Sequence, residues 1–150
     1  MTTITKKNLL KIYDQYRERV NSCLDSYLSS IPSSPNSDIE LRDVMKYSVL
    51  AGGKRFRPIL TYTVASLYDS EIEKADSSAS AIELIHIYSL IHDDLPAMDD
   101  DDIRHNQPAN HKVFGEAQAI LAGDGLQALA FSLISNDPLI NADTKIKLLE

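Results

Sequence analysis

Between Ser80 and His92 the chain is apolar on nearly every side, through Ile82, Leu84, Ile85, Ile87, Leu90 and Ile91, and it then runs directly into Asp93 and Asp94. A helix with apolar residues all round has no solvent face, so other elements must surround it. This one segment calls for a bundle with a helix over 80–92 at its centre. Ser80 and Glu83 have the spacing of a capping box, which puts the helix start there. Pro96 stops it.

The flanking segments also read as helices. Residues 6–30 carry Leu9, Leu10, Tyr13, Tyr16, Val20, Leu24, Tyr27 and Leu28 at helical spacing. The stretch 31–37 holds two prolines and reads as a loop. Ser37 and Glu40 form a second capping box, opening a helix whose stripe is Leu41, Val44, Met45, Val49 and Leu50. Gly52 and Gly53 end it, because glycine accepts the left-handed geometry of a helix C-cap. The run after Pro58 has the β-branched residues of a strand and the length of a buried helix. With no partner strand elsewhere, we assign it as a helix. Residues 97–112 read as a polar loop and 114–135 as one long helix, with Gly123 and Gly125 as candidate bends. Asn136, Asp137 and Pro138 break it, and a last helix begins near Ala142. The expected fold class is all-α.

Charge excludes one broad class of function. With 22 acids against 15 bases in 150 residues, the formal charge is −7. A nucleic-acid binder needs a basic face, which this balance does not offer. Cys23 stands alone, so it cannot close an internal disulfide, and a reducing compartment fits. Its simplest role is that of a small apolar residue on the first helix. The N-terminus is charged throughout and lacks a signal-peptide core, and no uninterrupted apolar run is long enough to span a bilayer. A cytoplasmic protein is expected.

The acids are concentrated. Six of the ten residues from Asp93 to Asp102 are Asp. Asp93, Asp94 and Asp99 stand at D-D-x-x-x-x-D, at the end of an apolar helix. Crowded carboxylates repel, so each is hard to ionise alone, and a divalent cation removes that cost. Mg²⁺ prefers oxygen ligands and is usually held by one or two carboxylates plus substrate phosphates. A solvated acidic loop is the plainer alternative, but it has no reason to follow so apolar a helix. The EF-hand spacing of a Ca²⁺ loop is absent.

A basic counterpart lies at 52–58, Gly-Gly-Lys-Arg-Phe-Arg-Pro. Three cations in four residues follow two glycines that let backbone N–H groups face a ligand. Lys offers phosphate a point charge, and Arg a pair of parallel hydrogen bonds. The spacing is not that of a Walker A loop. A basic helix C-terminus that complements the helix dipole accounts for the segment equally well when it is taken alone. A metal-bound diphosphate beside a cation-bound one makes a coherent two-substrate site.

The strings IHIYSLIHDDLPAMDDDDIR, GGKRFRP and AILAGDGLQALAFSL together resemble the trans-prenyl diphosphate synthases, and bacterial farnesyl diphosphate synthases in particular. The resemblance runs from about Leu41 onward. It implies an isoprenoid (prenyl) synthase helical bundle of which 1–150 is the N-terminal half. It also implies head-to-tail condensation of isopentenyl diphosphate with an allylic diphosphate (dimethylallyl or geranyl), in a complete enzyme that is a homodimer. In that family Asp93, Asp94 and Asp99 match the carboxylates that hold Mg²⁺ on the allylic diphosphate. Gly53, Lys54, Arg57 and His86 match positions that bind isopentenyl diphosphate, and Arg104 matches an arginine that grips the allylic one. Tyr88, five residues before Asp93, matches the position facing the growing chain, where a bulky ring favours a C15 product. Asp124, on a stripe with Ile120, Leu121 and Ala128, is expected to be buried and supporting.

Two departures stand out. The family usually reads Arg-Arg-Gly where this chain has Arg104, His105 and Asn106. His105 lacks the bidentate clamp of the arginine it replaces and is mostly neutral near neutral pH, so weaker isopentenyl diphosphate binding is expected. The second aspartate-rich motif of the family does not follow Asp102. The 150 residues alone are therefore expected to have little or no synthase activity. A non-catalytic diphosphate-binding subunit, or a fragment that pairs with a complete synthase, is the alternative.

Overall fold

The computed structural model describes residues 6–32, 39–68 and 71–150. Seven α-helices make up most of the described structure: α1 (Lys6–Ser29), α2 (Leu41–Val49), α3 (Phe56–Leu67), α4 (Asp76–Asp93), α5 (Asn110–Phe114), α6 (Glu116–Asn136) and α7 (Ala142–Leu149). A 3₁₀ turn, Ile72–Ala75, leads into α4. Among the described residues, the one departure from an all-α chain is a hairpin of two-residue strands, β1 (Ile103–Arg104) and β2 (Gln107–Pro108). It lies within the segment expected to be loop.

Helix α4 is central, as its all-round apolarity requires. It packs against α1, α2, α3 and α6, most extensively against α6. Leu84, Ile87 and Ile91 of α4 are buried with Val20, Leu24 and Leu28 of α1, Val44 and Val49 of α2, Tyr62 of α3, and Ala122, Leu126 and Ala130 of α6. The small residues of α6 let the two long helices approach closely. The lower part of the α1 stripe does not take part, since Leu9 and Leu10 are exposed.

Several sequence expectations need correction. Helix α4 begins at Asp76, not Ser80, and Ser80 and Glu83 are buried inside it rather than capping it. The polar start is accommodated by tertiary partners. Arg19 donates through Nε and Nη2 to Asp76, both at 2.7 Å, and Tyr62 Oη donates to the same carboxylate at 2.7 Å. Ser77 Oγ donates to Asp137 at 2.5 Å. Burial and the Asp76 carboxylate both push the Tyr62 phenol far above its ordinary pKa. The expected helix over 114–135 is α6, which starts two residues later because Gly115, whose φ of 85° favours glycine, separates it from α5, a short helix at the end of the segment expected to be loop. Gly123 and Gly125 lie within α6 and serve close packing, Gly123 against His92 and Gly125 against Met45. Ser37, the expected cap of α2, lies outside the described residues; Glu40 is the N-cap and makes no capping bond with its side chain.

Helix α6 bears on the membrane expectation without overturning it. Asp124 and the glutamines interrupt its apolar run. Yet an 18-residue window of mean hydropathy 1.3 makes it long and apolar enough to cross a bilayer by length and composition. A third of that window is buried within the fold.

Candidate active site

Two clusters form on neighbouring faces of the bundle, joined by the hairpin. The first is basic. Gly52 and Gly53, with φ of 99° and 114°, turn the chain out of α2. Helix α3 then starts at Phe56, and Pro58 sits in its first turn, where the missing N–H costs nothing. Lys54 and Arg57 are exposed on either side of this corner. Together with Gly53, His86 of α4, and His105 and Asn106 of the hairpin turn, they line an open cleft of about 530 Å³. Three distant stretches of sequence thus converge. The His105 ring lies close to Gly53, with Cε1 and Nε2 each 3.5 Å from where a Cβ would stand. Burial, and next the positive charge of Arg57, hold the His86 pKa below its ordinary value, so its imidazole is neutral at neutral pH.

The second cluster is acidic and lies where α4 ends. Beyond Asp93 the chain folds into a tight turn: Asp99 N–H donates to Asp93 O at 2.8 Å, and Met98 and Asp100 N–H donate to Leu95 O. Asp99 is thereby brought back beside the helix end. Asp94 goes the other way. It is 2% exposed, and both its oxygens accept from the Arg104 guanidinium. Arg104 Nη2 also donates to Asp101 at 3.0 Å. Lys112 pairs with Asp102 at 2.7 Å and holds that carboxyl below its usual range. Asp94, Asp101 and Asp102 are thus committed to internal cations. Among the described residues, Asp93, Asp99 and Asp100 are not ion-paired, and no three His, Cys, Asp or Glu side chains converge into a complete metal-binding group. Two free carboxylates linked by a tight turn do fit Mg²⁺, which needs only one or two from the protein when phosphate oxygens supply the rest.

Tyr88 is half-buried one turn before the acids. Its ring meets His92 edge-on, with centroids 4.9 Å apart. His92 Nε2 donates to Ile120 O at 3.0 Å, and its ring fills the notch left by Gly123, where a Cβ would come within 2.2 Å. Asp124 corrects the expectation of burial. Its side chain is 60% exposed, with His92 Nε2 3.8 Å from its carboxylate. Gly123 in the notch and Asp124 in solvent are consecutive residues of α6.

The hairpin links the clusters. His105 and Asn106 form its two-residue turn with φ of 49° and 63°, the geometry of a type I′ turn. Asn tolerates it best after Gly. Tyr47 Oη donates to Pro108 O at 2.9 Å, Gln107 Nε2 donates to Tyr47 O at 3.2 Å, and Asn110 Nδ2 donates to Val44 O at 3.0 Å. These bonds fasten the hairpin to α2.

The sequence and the fold of this chain both have counterparts among known proteins. The sequence profile of Polyprenyl synthetase matches residues 38–150. The chain belongs to the polyprenyl synthetase family. It is 45% identical over 136 residues to the farnesyl diphosphate synthase of Haemophilus influenzae, which covers 91% of this chain and 45% of that protein. A solved FPP/GFPP synthase from Zymomonas mobilis superposes with a TM-score of 0.88 at 37% identity, covering 97% of this chain and 51% of that one. A geranyltransferase from Legionella pneumophila superposes at 0.83 with 43% identity, covering 91% and 47%. The helices are therefore those of the isoprenoid synthase fold, and the chain spans about half the length of the relatives it matches.

Proposed function

We propose that these 150 residues are the N-terminal half of a prenyltransferase domain that condenses isopentenyl diphosphate with an allylic diphosphate to give a short-chain prenyl diphosphate, farnesyl diphosphate in particular. The observation that carries this reading is the convergence of Gly53, Lys54, Arg57, His86 and His105 on one cleft beside the free carboxylates of Asp93 and Asp99. Lys54 and Arg57 bind the diphosphate of the isopentenyl unit, with neutral His86 as a hydrogen-bond donor. Asp93 and Asp99 would hold Mg²⁺, and Asp94 would join them only if Arg104 leaves it. Such an ion would supply charge stabilisation for the departing diphosphate. Arg104, released from Asp94, adds a second positive contact to that group. The allylic C–O bond breaks with its electron pair leaving on the diphosphate, the isopentenyl double bond forms the new C–C bond, and a proton passes from the adduct to the released diphosphate. Apolar side chains keep water from the carbocation. Tyr88, braced by His92, limits the length of the product.

A second reading is a diphosphate-binding subunit that pairs with a complete synthase, and an exposed apolar face favours it. The outer face of α3 suits association, because Phe56, Leu60, Val64 and Leu67 are all exposed at helical spacing.

One assay separates the readings. The purified chain is incubated with Mg²⁺, isopentenyl diphosphate and dimethylallyl diphosphate, alone and with a full-length synthase of the family. Product from the chain alone supports catalysis by these residues. Product changed only in the mixture supports the subunit. In whichever form is active, Tyr88→Ala should lengthen the product, and an unchanged chain length removes Tyr88 from its proposed role.

A further inference from the structure

Arg55 is the middle cation of the basic segment, and it behaves unlike its neighbours. Lys54 and Arg57 are exposed, whereas Arg55 is 3% exposed. Its backbone is left-handed, with φ 50° and ψ 35°, at the corner where the chain enters α3. A non-glycine residue keeps that conformation only where its surroundings hold it. Three elements do so. Nη1 donates to Glu83 Oε1 of α4 at 2.9 Å, Nη2 to Val49 O at the end of α2 at 2.5 Å, and Nε to Asn21 Oδ1 of α1 at 2.9 Å. The adjoining peptide is tied as well, since Tyr13 Oη of α1 donates to Lys54 O at 2.5 Å. Glu83 is 4% exposed and stands one helical turn before His86. A single ion pair therefore anchors both walls of the cleft, the loop bearing Lys54 and Arg57 and the stretch of α4 bearing His86.

Arg55 and Glu83 themselves line the cleft, but the pair is buried and its guanidinium is taken up by Glu83, Val49 and Asn21. We propose that Arg55 and Glu83 are positioning residues for the diphosphate cleft, fixing the spacing of Lys54, Arg57 and His86 rather than holding the ligand themselves; this rests on the reading of that cleft as a diphosphate site. The charges make the claim testable by sign. Glu83 puts a negative charge in the wall of an anion cleft. By field alone, Glu83→Gln would strengthen anion binding. A positioning role predicts the opposite, because the loosened loop no longer presents its cations together.

The experiment is calorimetric titration of the full 150-residue chain with inorganic pyrophosphate and with isopentenyl diphosphate, with folding checked by circular dichroism. Lys54→Ala serves as the ligand-contact control. Glu83→Gln is expected to weaken binding by at least about tenfold in the folded protein, about 1.4 kcal/mol. Because this variant leaves a buried Arg unpaired and can unfold, a second variant is paired with it. Arg55→Met with Glu83→Leu replaces the ion pair by apolar groups of similar volume, a change that often preserves stability. It should fold and still lose at least about tenfold in affinity. Binding equal to or tighter than wild type in either folded variant overturns the positioning role and leaves the cleft reading intact. If the wild-type chain binds neither probe, the cleft reading falls and the inference falls with it.

Discussion

The basic cleft and the acidic turn carry opposite charges, and they are built by opposite means. In the cleft, the charge that is buried, Arg55, is consumed by the scaffold, and the exposed cations are left free. In the turn, Asp94 is buried against Arg104, and two more acids are paired with Arg104 and Lys112. Buried Arg55–Glu83 is a support with no evident alternative partner. Asp94–Arg104 is a support whose two members are both candidate ligand contacts. The difference teaches that one half of the site is preorganised, while the other is held together by the very groups a metal and a diphosphate would claim. Preorganised charge binds without rearrangement, whereas the acidic turn must exchange partners when it is filled.

Three measurements would break or sharpen this contrast. The largest effect is expected from Asp93→Ala, which removes a carboxylate that no internal cation occupies. Mg²⁺-dependent binding of geranyl diphosphate by the chain should fall by roughly a hundredfold, while metal-free pyrophosphate binding in the cleft stays unchanged. Equal losses in both would mean that the two clusters are one site. Next comes Gly123→Ala, whose Cβ would meet His92 Nε2 at 2.2 Å. Overpacking of this kind costs about 1–3 kcal/mol, and thermal denaturation should show it as a lowered Tm. Adding His92→Ala should restore much of the loss; no rescue would mean that the notch does not fix the helix end.

The smallest effect concerns pH. The folded-state pKa of His86 is depressed, by burial first and by Arg57 second. The unfolded chain therefore takes up this proton more readily. The contribution of His86 to stability is full above the unfolded value of roughly 6.5 and is lost as pH falls through the folded one. Nuclear magnetic resonance titration should give His86 a midpoint below that of a free histidine, and denaturant melts of His86→Gln should show a flatter acid limb. A midpoint at or above the reference value would mean that the cleft is wetter than its geometry indicates.

Much of the fold was legible in the sequence because it rests on helical spacing, which is local. The central place of α4 follows from apolarity alone, and the run after Pro58 is helical in α3 despite its β-branched residues. What could not be read was set by distant partners. Asp76 and Ser77 extend α4 because Arg19, Tyr62 and Asp137 reach them, and none is a sequence neighbour. The hairpin was hidden because two left-handed residues without glycine give a faint turn signal. Asp124 was misplaced because a stripe on a helix with apolar residues on several faces does not say which face is inside. The convergence of Gly53, Lys54, Arg57, His86 and His105 was suggested by resemblance rather than by spacing. Arg55 was counted among the cations facing a ligand. One signal pointed elsewhere: Glu83, a lone carboxylate among Ile82, Leu84, Ile85 and Ile87, had to find a buried partner.

The hairpin has a consequence for how freely this segment can vary in length. Surface connections ordinarily accept insertions and deletions. Here Ala109 N–H closes onto Asp102 O at 2.8 Å, and between those points Arg104 is fixed to Asp94 while His105 lies against Gly53. Consecutive residues serve opposite clusters, so one added or deleted residue would shift both out of register together. This exposed stretch should tolerate changes of side chain far better than changes of count.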